Sequence, residues 1–302
     1  MSAGAPGTGA VGAGSDALTV LRVMLRSADY LAEKGIESAR LDAEHLVSHC
    51  LGVGRLEMYL QHERPMRESE LERLRPKLRR RAKREPLQYI LGRQAFRELD
   101  LEVGEGVLIP RPETEQLVEV VLRWAGGREG LTALDVGTGS GAIALSLLRE
   151  GPFAHCVGTD VSQGALEYAR RNRDAADLTS RMELRLGSLL EPVGAVERFD
   201  VVVSNPPYVA EEERETLQPE VARWEPEEAL FAGYEGQDVL SSLVPAAGPV
   251  LREGGLLALE VGDGQADAVV AAIEGTAWYQ GALVHDDLAG KKRIVTAVRS
   301  PI

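Results

Sequence analysis

Leu134-Asp135-Val136-Gly137-Thr138-Gly139-Ser140-Gly141 decides the fold, because it reads as the end of a strand turning into the start of a helix. Glycines at such a turn let the backbone approach a ligand closely, and the first N–H groups of the following helix are free to bind it. Ligands of open α/β sheets sit at these carboxyl ends of strands. The spacing is G-x-G-x-G, not the G-x-G-x-x-G of pyrophosphate binders, and an acidic residue, Asp135, ends the strand. An amino-acid-like cofactor end suits this turn better than a diphosphate. Asp135, Gly137, Thr138, Gly139, Ser140 and Gly141 are therefore the first expected cofactor contacts.

Downstream, apolar runs alternate with helical spacing. Thr132–Val136, Cys156–Thr159, Glu183–Leu186, Asp200–Ser204 and Leu256–Val261 are the strand candidates, which predicts a mostly parallel, doubly wound α/β sheet covered on both faces. Ala282–Asp286 and Arg293–Val298 read as a closing antiparallel hairpin. The second strand ends at Asp160, where doubly wound folds place a carboxylate for the ribose hydroxyls of an adenosine cofactor; its plainer role is a cap of the helix from Ser162 to Asn172.

Adenosylmethionine and a nicotinamide dinucleotide both satisfy these features, and Ser204-Asn205-Pro206-Pro207-Tyr208 decides between them. Two prolines fix the backbone and remove two N–H donors, leaving carbonyl acceptors at a strand end. An amide or aryl-amine nitrogen is a poor nucleophile because its lone pair is delocalised. If the Asn205 side-chain oxygen and the Pro206 carbonyl each accept one of its hydrogens, the lone pair is aimed at a methyl sulfonium. Tyr208 would stack on the planar group and favour the sulfonium charge. This chemistry calls for no metal.

Upstream of the turn, the texture differs. Residues 1–15 are almost wholly Gly, Ala, Ser, Pro and Thr, the composition of a flexible tail, and Gly7, Gly9 and Gly12 there lack the preceding strand that a dinucleotide turn needs. From Asp16, a good N-cap, apolar residues recur at helical spacing through Leu18, Leu21, Leu25, Ala28 and Leu31. A second helix is expected over Ala39–Cys50 with Leu41, Leu46, Val47 and Cys50 inward, and a third over Glu68–Arg84, kinked or restarted at Pro76. These give a small helical domain over 16–85, with a linker hairpin and the catalytic domain over 86–302.

The net charge of −13 argues against stable nucleic-acid binding across a broad basic surface. Two distant cysteines, Cys50 and Cys156, point to a reducing compartment, and no stretch is apolar enough to span a bilayer, so the cytoplasm is expected; the chain is taken as a monomer, a state its residues do not themselves reveal. His45 and His49 are four apart on a predicted helix without a supporting carboxylate and read as an ordinary helix face. The basic run from Arg73 to Arg84 reads first as a solvated face and second as a contact surface for an acidic partner or for nucleic acid.

With these motifs in hand, the chain resembles the HemK/PrmC family, N5-glutamine methyltransferases of peptide-chain release factors. The resemblance extends to Pro86-Leu87-Gln88-Tyr89-Ile90-Leu91-Gly92, Val107-Leu108-Ile109-Pro110-Arg111-Pro112-Glu113-Thr114-Glu115, Glu225-Pro226 with Ala229-Leu230, and Arg293-Ile294-Val295. It implies a Rossmann-like class I methyltransferase domain, S-adenosyl-L-methionine as cofactor, and the Gly-Gly-Gln loop of a release factor as substrate. It further implies Phe96 as an apolar wall of the glutamine pocket, Arg111 as a substrate contact, and the helical domain as a clamp for the release factor. Where many members carry an acidic residue and an aromatic near the adenine, this chain has Gly187-Ser188-Leu189-Leu190, so contacts from Ser188 and Leu189 should be apolar or through the backbone. Asn-Pro-Pro-Tyr also serves adenine-N6 and other nucleic-acid amino-methyltransferases, the rival reading; a binding protein without catalysis has no need of it.

Overall fold

The computed structural model describes residues 18–301, and the expectations for the tail over 1–15 and for Asp16 as a cap lie outside them. The chain divides into two compact units between Leu91 and Gly92. The first contains α1 (Val20–Glu33), α2 (Ala39–Leu51), α3 (Arg55–Leu60), α4 (Glu68–Ala82) and α5 (Leu87–Leu91). Because α5 buries Ile90 in the helical core, the division falls after it and not before Pro86.

Thr19 caps α1, its Oγ1 accepting a hydrogen bond from Arg22 N at 3.4 Å. The buried face is Val20, Val23, Met24, Ala28 and Leu31, so Leu25 falls off the stripe and is 42% exposed. In α2 the stripe runs through Ala39, Ala43, Leu46, Val47 and Cys50, which leaves Leu41, expected inward, 43% exposed. Helix α4 is continuous through Pro76, where a kink or a restart was expected; the proline sits on the exposed face, so the carbonyl it leaves unbonded can be solvated. Much of the basic run holds this unit together. Arg73 Nη2 donates to Cys50 O at 2.9 Å, Lys77 Nζ to Ile90 O at 3.1 Å, and Arg81 pairs with buried Asp42 at 2.6 Å. Among the described residues no helix is long and apolar enough to cross a membrane, and no cluster of His, Cys, Asp and Glu could hold a metal ion.

The second unit opens with a hairpin, β1 (Arg93–Phe96) and β2 (Leu99–Glu102), followed by α6 (Pro112–Ala125). Then come β3 (Leu131–Val136), α7 (Ala142–Glu150), β4 (Phe153–Asp160), α8 (Gln163–Ala175), β5 (Met182–Leu186) and β6 (Phe199–Ser204). The chain closes with α9 (Pro219–Trp224), α10 (Asp238–Val250), β7 (Leu251–Glu260), α11 (Ala266–Glu274), β8 (Leu283–Asp286) and β9 (Lys292–Val298). The strands form one sheet in the order β5-β4-β3-β6-β7-β9-β8, parallel from β5 to β7 and antiparallel at β9 and β8.

Alternate residues of the central strands face opposite sides, and both sides are apolar. Ala133, Val201, Val203 and Ala258 join a core with Leu117 and Val121 of α6 and Leu145 of α7. Leu134, Val202, Leu257 and Leu259 join a second core with Leu240 and Val244 of α10 and Ile273 of α11. Each fully buried Val or Leu contributes about 1.5–3 kcal/mol, so a sheet covered on both faces is the strongly favoured arrangement of these runs. The β1–β2 hairpin is fastened to α6 and α7 by Arg97, whose N–H donates to Glu115 Oε1 at 2.9 Å and whose guanidinium pairs with Glu150 at 2.6 Å.

Candidate active site

At the end of β3 the backbone turns through Gly137, Gly139 and Gly141, all at positive φ (+72°, +56° and +85°), where a side chain would be strained. Gly137 N and Thr138 N both donate to Thr159 O at 2.9 Å, which ties the turn to the end of β4. Beneath it lies Asp135, fully buried, with Oδ2 accepting from Thr138 Oγ1 at 2.7 Å and from Ala144 N at 3.2 Å. Its Oδ1 has no hydrogen-bond partner. Burial pushes the Asp135 pKa up to about 7, with the charge of Asp160 adding to it against these hydrogen bonds.

Asp160, ending β4, accepts from Ser162 N through Oδ1 at 2.9 Å and from Gly139 N through Oδ2 at 2.8 Å. Burial raises its pKa while those two N–H groups oppose the shift. The carboxylate therefore spans the glycine turn and the start of α8. Asn172 braces the turn from α8, its Nδ2 donating to Ser140 O at 2.9 Å and to Glu102 O at 3.0 Å. Leu189 takes φ +47°, rare for a residue with a branched side chain, and its carbonyl accepts from Thr159 Oγ1 at 3.0 Å.

The end of β6 is fixed to β3 by Ser204 Oγ donating to Val136 O at 2.6 Å. The next residue, Asn205, contacts Thr114 of α6, Nδ2 to Oγ1, at 3.0 Å. Pro206 is buried. Tyr208 is held twice: its carbonyl accepts from Gln265 Nε2 at 2.9 Å, and its hydroxyl donates to Glu260 Oε1 at 3.4 Å. Burial drives the phenol pKa upward, and the charge of Glu260 adds to this.

These strand ends surround a cavity of about 320 Å³, within the range of small-molecule sites. Gly137, Thr138, Gly139, Ser140 and Asp160 line one part of it, Ser188 and Leu189 another, and Asn205, Pro206 and Pro207 a third. The fit to an adenosine cofactor with a cationic amino-acid end rests on two observations: Asp160 faces the cavity beside the glycine turn, and a buried acceptor, Asp135 Oδ1, lies unpaired beneath that turn. Five expected site residues do not line the cavity. Asp135 and Gly141 support the turn from below and behind, and Tyr208 braces its loop. Phe96, expected as a pocket wall, is 1% exposed and belongs to the core of α6 and α7, because the hairpin turns it inward. Arg111 is also placed elsewhere, as described below.

Residues 23–92 match the family described as PrmC N-terminal domain, and residues 114–222 match the methyltransferase small domain. The release factor glutamine methyltransferase of Geobacter sulfurreducens is 45% identical over 258 residues, 85% of this chain and 89% of that protein. That of Caulobacter vibrioides is 37% identical over 285 residues, 94% and 98% of the two chains. This chain belongs to the release factor glutamine methyltransferase family. Its cofactor is S-adenosyl-L-methionine. Among solved structures, a Pyrococcus furiosus methyltransferase (20% identity, 68% of this chain and 90% of that one, TM-score 0.51) has the same fold. So does a Thermus thermophilus 16S rRNA N2 G1207 methyltransferase (20%, 68% and 49%, TM-score 0.52).

Two segments that carry the family resemblance, around Arg111 and around Glu225, meet in space. Glu225 Oε1 accepts from Arg111 Nη2 at 2.5 Å, and Oε2 accepts from Ile109 N at 3.1 Å, with the Glu225 side chain 1% exposed. Sequence reading gave Arg111 a substrate contact; here it neutralises a buried carboxylate that joins two loops. Arg111→Ala would leave that charge buried and unpaired. Breaking a buried pair costs about 3–5 kcal/mol, and partial exposure of Arg111 lowers the expected loss to roughly 2–3 kcal/mol. Urea unfolding measures this, and Glu225→Gln in the same chain should restore most of the stability; a loss within about 0.5 kcal/mol of zero would remove the role.

Sequence reasoning passed over Thr114, Glu260 and Asn172. Glu260 carried a signal, an acidic residue closing the apolar run Leu256-Leu257-Ala258-Leu259 at the end where ligands bind. Burial pushes its pKa up to about 7, against hydrogen bonding from Thr114 and Tyr208 and the charge of Arg293.

Proposed function

We propose that this protein transfers a methyl group from S-adenosyl-L-methionine to the side-chain N5 of the glutamine in the Gly-Gly-Gln motif of peptide-chain release factors. The observation that carries this reading is Asn205, held at the cavity wall by Thr114 with Pro206 and Pro207 beside it. When bound, S-adenosyl-L-methionine supplies an electrophilic methyl sulfonium. Asn205 Oδ1 and the Pro206 carbonyl each accept one hydrogen of the glutamine amide, which turns its nitrogen lone pair toward the methyl group. Pro207 stiffens the slot, and Tyr208 holds it in place through Gln265 and Glu260.

On the cofactor side, the turn from Gly137 to Gly141 receives the amino-acid end, with Asp135 beneath it providing negative charge. Asp160 accepts from the ribose hydroxyls, and Ser188 and Leu189 border the adenine. In this reading the helical unit contacts the release factor, and the chain works as a monomer in the cytoplasm.

The test is methyl transfer from labelled S-adenosyl-L-methionine to a purified release factor, beside a factor whose Gly-Gly-Gln glutamine is replaced and beside DNA. Label on the wild-type factor alone supports the reading. Label on DNA, or equally on the replaced factor, overturns the substrate.

A further inference from the structure

A threonine hydroxyl can either donate or accept, so the 3.0 Å contact between Thr114 Oγ1 and Asn205 does not by itself say which end of the amide faces the cavity. The third member of the group, a buried carboxyl, sets the direction when it is ionised. Glu260, at the end of β7, is fully buried, and Thr114 is 4% exposed, so water does not compete for their hydrogen bonds. The carboxyl has Tyr208 Oη at 3.4 Å from Oε1, Oε2 has no hydrogen-bond partner, and the Thr114 hydroxyl lies close enough to favour its charged form. An ionised carboxylate only accepts. Facing it, Thr114 gives its proton to Glu260 and has a lone pair left for Asn205.

We infer that Glu260 and Thr114 are positioning residues that orient the Asn205 amide, with Nδ2 on Thr114 and Oδ1 left for the substrate. Neither touches the reacting nitrogen. They act through Asn205, and the inference rests on the reading of Asn205 Oδ1 as an acceptor for the substrate amide. Without them the Asn205 amide can rotate by half a turn, and its NH₂ group would then meet the hydrogens of the incoming amide instead of accepting them. The cofactor side of the cavity is untouched by this relay, so its loss should appear in turnover and not in cofactor affinity.

The test uses the full chain with Thr114→Val, Thr114→Ser and Glu260→Gln. In the protein without substrate, the side-chain amide resonances of Asn205 are recorded by ¹⁵N NMR. Thr114→Val and Glu260→Gln should displace them, and Thr114→Ser, which keeps the hydroxyl, should not. In the methylation assay Thr114→Val should lower kcat roughly tenfold or more with cofactor Kd within roughly twofold, and Thr114→Ser should recover most of the rate. In an Asn205→Ala background, Thr114→Val should add little further loss, because the two act as one unit. Unmoved Asn205 resonances in Thr114→Val, equal damage from Val and Ser, or full additivity with Asn205→Ala would each overturn the relay. Absence of release-factor methylation by the wild-type chain would instead count against the proposed substrate, and the NMR arm would still judge the relay.

Discussion

Asn205→Ala is expected to lower kcat for release-factor methylation by about 10²–10³-fold, the range for removing one preorganised partner of a developing charge, or about 2.7–4 kcal/mol. The side chain sits on the cavity wall, and its contact with Thr114 holds it there before substrate arrives, so no reorganisation is needed during the reaction. An amide nitrogen gains nucleophilicity only as its lone pair leaves conjugation, and the acceptor opposite its hydrogen is most effective at that stage. The interaction therefore strengthens between ground state and transition state, and kcat should fall further than the substrate KM rises. The glycine turn and Asp160 belong to other strand ends, so cofactor Kd should change by roughly threefold or less. Isothermal titration with S-adenosyl-L-methionine beside single-turnover methylation separates the two quantities. Cofactor binding lost together with the fold, or kcat within roughly threefold of wild type, would remove Asn205 from the chemistry.

How much of this was legible in the sequence depends on how local each feature is. The strands of the sheet are apolar runs with breaks at both ends, and the turn from Gly137 to Gly141 is a contiguous motif, so their places follow from short-range chemistry. The faces of α1 and α2 were harder, because alanines and short residues shift a stripe without changing its period. Leu25 and Leu41 look inward by composition, yet Met24 and Ala43 occupy the buried positions. The site shows the same division. Gly139, Asp160 and Asn205 are announced by the strand ends that carry them. Thr114 and Glu225 become meaningful only through partners 91 and 114 residues away, and Phe96 reverses its expected direction once Arg97 fastens the hairpin to α7. A family resemblance supplies such residues as marked positions, but it does not say whether a marked arginine meets a substrate or, as Arg111 does, a buried glutamate.

The Asp160 variants carry the second large effect. A hydrogen bond to a charged group contributes about 1.5–3 kcal/mol, so losing the acceptor of two ribose hydroxyls should raise the cofactor Kd of Asp160→Ala by roughly a hundredfold or more. Part of that loss has another origin. Asp160 also accepts from Gly139 N and Ser162 N, and its removal frees the glycine turn from the start of α8. Asp160→Asn separates the contributions, because its side-chain oxygen can still accept from one of these N–H groups while its NH₂ group is a poor match for a ribose hydroxyl that donates. If the ribose role dominates, Asn should weaken the cofactor nearly as much as Ala, and both should bind a ribose-lacking fragment such as methionine as wild type does. If the turn dominates, Asn should recover most of the affinity and Ala alone should lower the denaturation midpoint. An unchanged cofactor Kd in Asp160→Ala would end the ribose assignment, and the carboxylate would then be the support that joins the glycine turn to α8.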